Sequence, residues 1–143
     1  MLELINYPFH KISTSSPARP YLPIRLVNPD TGKGVNLVAQ IDTGADECAF
    51  GADYATIIGH NLHAGEIRDV GTANGATCAY SHTISIELVM PGIKYKTNNV
   101  VVDFIPSVNI ALIGVRSFLC NFVLTVDYPR QCFSLVEKIK PKK

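Results

Sequence analysis

Tryptophan is absent from this chain, and charge of either sign is scarce: 13 Lys and Arg face 12 Asp and Glu, for a net charge of +1. So balanced a chain offers no bulk attraction to nucleic acid or an anionic membrane, and neither is expected as a partner. Long apolar runs are missing too. The longest clean one, Ile110, Ala111, Leu112 and Ile113, stops at Gly114, far short of a bilayer span. Cys48, Cys78, Cys120 and Cys132 are widely separated and form no CxxC pair, which excludes the usual zinc-knuckle and thioredoxin spacings. They are expected to be reduced thiols, buried or on the surface. Residues 1–20 lack a basic start followed by an apolar block, so the expectation is no signal peptide and a cytoplasmic location. His10, His60, His63 and His82 contain no HExxH, and a pair such as His60 and His63 is too few for a catalytic zinc site. No GxGxxG and no Lys-Ser/Thr phosphate loop follows the glycines at 71 and 75, and Ser81-His82 has no nucleophile elbow.

What remains is strand-like. A chain of 143 residues, 47% hydrophobic and 17% charged, suits one packed domain. Leu22, Ile24 and Leu26 alternate with Pro23 and Arg25. Val35, Leu37, Ala39 and Ile41 alternate with Asn36, Val38 and Gln40. Period two marks strands with one buried face, and the turn-dense stretch 28–34 between them predicts a β-hairpin. A short helix or single turn is expected within 52–63, weakened by Gly59. Residues 70–76 read as turn-rich, followed by a strand over 77–89. Pro91-Gly92 makes a second hairpin into one or two strands over 95–105. A short helical piece at 116–120 precedes a last hairpin, with 122–126 and 132–136 flanking Asp127-Tyr128-Pro129-Arg130. Many short strands with regular turns and little helix predict an all-β barrel or sandwich. The division expected is an arm without helix or strand at 1–20, a domain at 21–137 and a basic tail at 138–143, the tail being a solvated end.

Chemistry concentrates at Val38-Ala39-Gln40-Ile41-Asp42-Thr43-Gly44-Ala45-Asp46. An apolar strand delivers a carboxylate to a rigid sheet end. The Thr hydroxyl can donate and accept hydrogen bonds and so lock the loop. Gly permits backbone geometry closed to other residues and the close approach of another chain. The bland alternative is an ordinary turn, since Asp-Thr-Gly is good turn chemistry. Well downstream stands a second apolar-apolar-Gly element, Leu112-Ile113-Gly114, followed by Phe118-Leu119.

Asp42-Thr43-Gly44-Ala45 together with Leu112-Ile113-Gly114 resembles the retropepsin-like aspartic peptidases, over residues 21–136 in matching order. The closing 122–128 is similar to the strand that follows in small bacterial single-domain members. The resemblance implies an all-β acid-protease barrel of one lobe, with Asp42 as catalytic aspartate. It gives Thr43, Gly44 and Ala45 the support of the catalytic loop. Gly44, Asp46 and the flap residues Thr72, Ala73, Asn74, Gly75 and Ala76 would contact substrate. Arg follows the second-motif Gly directly in many viral members; here Val115 does, and this displacement of Arg116 speaks against an Arg116–Asp46 ion pair. The mechanism needs two carboxylates, and no other Asp in the chain is followed by Thr-Gly or Ser-Gly. The implied enzyme is therefore a homodimeric endopeptidase acting on polypeptide, with Asp42 from each copy and no metal or organic cofactor. The alternatives are an inactive peptide-binding or dimerisation module of the same fold, and a barrel in which Asp42 sits in a mere turn.

Overall fold

The computed structural model describes residues 1–72, 75–139 and 141, with Thr72 described by its backbone alone. Its strands are β1 (Glu3–Pro8), β2 (Tyr21–Val27), β3 (Gly34–Ile41), β4 (Ala49–Gly51), β5 (Glu66–Thr72), β6 (Gly75–Leu88), β7 (Val100–Ile105), β8 (Ala111–Ile113), β9 (Phe122–Asp127) and β10 (Cys132–Glu137). One α-helix, α1 (Ala52–Ile57), and 3-10 turns at Leu62–Ala64 and Leu119–Asn121 complete the described elements.

Six strands close on themselves in the order β2-β3-β8-β4-β7-β6, with β6 pairing back onto β2. This is an all-β closed barrel, the one of the two architectures left open by the alternating pattern that the family resemblance implies. β5 hangs outside the ring on β6, and β1-β10-β9 form a separate sheet. The alternation translates directly into burial. Leu22, Ile24 and Leu26 are fully enclosed, as is Ala39 on β3, whereas Val38 faces out. Phe50, Phe104, Phe118 and Phe133 lie among the largest fully buried side chains. Each such apolar side chain contributes about 1.5–3 kcal/mol on burial.

The first hairpin forms where expected. Asn28 starts an Asx turn by accepting the Asp30 amide at 2.9 Å, and its Nδ2 donates to the Ile58 carbonyl at 3.0 Å. Gly32 takes φ +75° at the tip, a conformation that costs glycine little. α1 ends early because Gly59 turns to φ +87°. The Pro91-Gly92 hairpin is present, closed by a bridge between Met90 and Ile93.

Four expectations need correction. Residues 1–20 are not free of regular structure: Glu3–Pro8 forms β1, paired with β10 through Leu4 opposite Leu135 and Tyr7 opposite Phe133. The strand exists because Leu2 and Leu4 bury against the core, a signal that the Ser- and Pro-rich stretch after it obscured. Residues 70–76 are less turn than strand, since β5 runs to Thr72 and β6 resumes at Gly75. Within 95–105 only Val100–Ile105 is a strand; Lys96 makes a lone bridge to Glu87. The helical piece expected at 116–120 is the 3-10 turn Leu119–Asn121. In the tail, Lys140, Lys142 and Lys143 lie outside the described residues.

Candidate active site

Asp42 follows directly on β3, and its position is set by the neighbouring strand. β3 and β8 run parallel, with Gln40 opposite Leu112 and Ile41 opposite Ile113. The Asp42 amide donates to the Ile113 carbonyl at 2.9 Å. The Asp42 carboxylate in turn accepts the Gly44 amide at 2.9 Å through Oδ1. A backbone donor of this kind holds a carboxylate in one rotamer without burying it. Asp42 is half-buried; Thr43 and Gly44 are exposed.

The two motifs distant in sequence are locked together. The Val115 amide donates to the Ala45 carbonyl and the Arg116 amide to that of Asp46, at 2.9 and 2.6 Å. Gly114 passes so close beneath this loop that a Cβ there would land on the Glu47 carbonyl. Only glycine permits the approach. Cys48 adds a second clasp: its amide donates to Ser117 Oγ at 2.7 Å, and its Sγ receives the Gly114 amide at 3.3 Å. Burial pushes the Cys48 thiol up to about 11, so it stays protonated and serves as structure.

Arg116 does reach Asp46. Its Nη2 lies 3.2 Å from Asp46 Oδ2, and its Nε lies 3.2 Å from Glu47 Oε1. This overturns the expectation drawn from the displaced arginine. The Arg116 amide already sits on the Asp46 carbonyl, so the chain brings this side chain to the loop despite the one-residue shift.

Asp42 and Gly44 border a cavity of about 290 Å³ that runs beneath β5. Ala45 and Asp46 of the loop border it as well, and so does Leu112 of the second motif. Ile113 is fully buried behind them. On the hairpin side the wall is Arg68, Asp69, Val70 and Gly71, upstream of the residues read from the sequence. Thr72 and Gly75 pair in register at the end of the hairpin, with Gly75 at φ +107° and Ala76 opposite Gly71. Ala73 and Asn74 lie outside the described residues. Sequence reading also missed Glu47, Cys48, Ser117, Arg68 and Asp103. None carries a local motif: Arg68 and Asp103 meet only through the pairing of β5 with β6 and of β6 with β7, and Glu47, Cys48 and Ser117 only where the loop after β3 meets the turn after β8.

No helix among the described residues is long and apolar enough to cross a membrane. No family profile and no curated protein matches the chain. Among solved structures it is similar to a retropepsin-like aspartic protease from Rickettsia conorii, at 24% identity, over 94% of this chain and 99% of that one, with a TM-score of 0.60. It is also matched to EIAV protease complexed with the inhibitor HBY-793, at 17% identity, over 72% of this chain and 88% of that one, with a TM-score of 0.46. The first likeness shows the fold.

Proposed function

We propose, from the premise that this chain has the retropepsin-like fold, that it is one half of an aspartic endopeptidase completed by a second copy. Two chains related by a two-fold axis through the cleft each bring Asp42 to a shared water. Two carboxylates so close share one proton, as is general in aspartic peptidases. The ionised member removes a proton from water, and the protonated member polarises the scissile carbonyl. On this reading Thr43, exposed beside Asp42, bonds with the partner's loop. The polypeptide lies extended in the groove between Gly44, Asp46 and the β5–β6 hairpin, Thr72 to Ala76 included, and bonds through its main chain. The chemistry asks for no metal or organic cofactor. A reducing, cytoplasmic setting belongs to the same reading and agrees with free thiols at Cys48, Cys78 and Cys132.

The observation that carries this reading is the anchoring of Asp42. The Gly44 amide and the Ile113 carbonyl fix it at the border of a cleft roofed by a hairpin. An idle turn would need neither the second motif beneath it nor the roof above it. The test compares the parent with Asp42→Asn on an unstructured protein substrate, with the mass in solution measured alongside. Cleavage by a dimeric parent, lost in the variant, is expected. A parent that cleaves nothing, or a variant that cleaves as well, leaves a peptide-binding or dimerisation module of this fold.

A further inference from the structure

The cavity beside Asp42 is markedly acidic. Asp42, Asp46, Glu47, Asp69 and Asp103 line it, against the single guanidinium of Arg68. That guanidinium is already engaged, with Nη1 3.5 Å from Asp103 Oδ1. Arg116 is engaged on the loop, with Asp46 and Glu47. Even counting both arginines, carboxylates prevail, and a cleft walled by protein focuses their field on whatever enters.

Asp103 carries the argument further than the rest. It stands in β7 between Val102 and Phe104, both fully buried, and its own side chain is 6% exposed. Its neighbour in register on the parallel strand β4 is Ala49, a small residue that leaves room above. The Ser81 hydroxyl donates to the same Oδ1 at 3.3 Å. Neither contact is short. An apolar residue would pack on β7 with no desolvation cost, whereas a buried carboxylate needs close charge matching. Arg68 supplies only a loose match, and its side chain is 35% exposed, free enough to swing outward.

We infer that Asp103 floors a subsite of the peptide groove that selects a basic substrate side chain, Lys or Arg. The inference rests on the endopeptidase reading. The aliphatic stem of the incoming residue lies against Ala49, Val70 and Ile105, all of which border the cavity. Its charge replaces Arg68 beside Asp103, in the way long cationic side chains bury their stems and place their heads on a polar group.

Peptide sets varied one position at a time, cleaved by the full chain, test this. At one position Lys or Arg should raise kcat/KM at least about tenfold over Gln and Met, with Glu poorest, and added salt should reduce the difference. Asp103→Asn should bring the ratio of basic to neutral peptides down to within about twofold, and Arg68→Gln, which removes the internal competitor, should raise it. Cleavage by the parent with no basic preference overturns the inference and leaves the peptidase reading intact. So does a preference that both variants leave unaltered. Should Asp103→Asn fail to fold, the parent's own preference and Arg68→Gln still decide. Failure of the parent on every peptide removes the peptidase reading, and this inference with it.

Discussion

The amide of Asp42 and the carbonyl of Ile113 meet at 2.9 Å, so the two motifs are joined by a main-chain bond that no substitution short of proline at position 42 removes directly. The joint is vulnerable to bulk instead. Gly114→Ala would drive a methyl group into the Glu47 carbonyl. The expected cost is about 1–3 kcal/mol or more, read as a lower denaturant midpoint. Gly71→Ala, with nothing within 4 Å of its Cβ position, should move stability by no more than about 0.5 kcal/mol.

Asp42→Asn keeps the shape of a half-buried residue whose Oδ1 accepts the Gly44 amide. The fold should survive with little change in melting temperature. Peptide cleavage should fall by at least about 10²–10⁴, the range attributed to a positioned acid or base. A thermal melt beside a progress curve of peptide hydrolysis checks both halves.

Burial lowers the His60 pKa below its ordinary 6.5, and the His82 ring, 4.5 Å away by centroids, adds to the effect. The neutral form is the one the fold favours. The folded state therefore binds fewer protons than the unfolded state between the lowered value and 6.5. His60 contributes its full stability above that window, and the contribution shrinks as pH falls through it. Unfolding free energies measured from pH 7.5 to 5 should decline less steeply in His60→Asn than in the parent.

Cys48 is buried, with its thiol held at about 11, whereas Cys120 is exposed. An alkylating reagent at neutral pH should label Cys120 in the native protein and reach Cys48 only after denaturation. Peptide mapping of the labelled protein, with and without denaturant, reads this out. Rapid native labelling of Cys48 would contradict the clasp described for it.

Removing residues 1–8 strips β1 from β10 and takes Leu2 and Leu4 out of the core. At about 1.5–3 kcal/mol for each buried leucine, the truncated chain should show a clearly depressed melting temperature. A melt unchanged by the truncation would mean that β1 contributes nothing to the fold.

How much of this was legible beforehand follows from the range of each signal. Leu22, Ile24 and Leu26, and the run from Val35 to Ile41, announced their strands because half-buried sheets write period two into the sequence. Asp42-Thr43-Gly44 and Ile113-Gly114 were legible as a motif pair at the ends of two apolar runs, and Gly114 is obligatory because two backbones touch there. β4 was not, since Ala49, Phe50 and Gly51 are too few to show any period and are all buried. Arg68 and Asp103 were silent for a different reason. Their partnership runs across β6, through the registers Arg68–Ala79 and Ser81–Asp103, and no local pattern reports which strands a barrel will bring side by side. The ion pair of Arg116 was misjudged because side-chain reach was inferred from position in the chain alone.

β6 also sets the mechanics of the entrance. Its residues from Gly75 to Ala79 pair with β5 alone, whereas Tyr80 to Ile84 are gripped by β7 and Ser85 to Leu88 by β2. The hairpin is thus a cantilever cut from the same plank as the wall. Any bending load at its tip is borne where the single-sided stretch meets the clamped one, beside Tyr80. On the proposed reading, in which a substrate chain enters beneath this hairpin, the stiffness of that junction decides how far the hairpin opens.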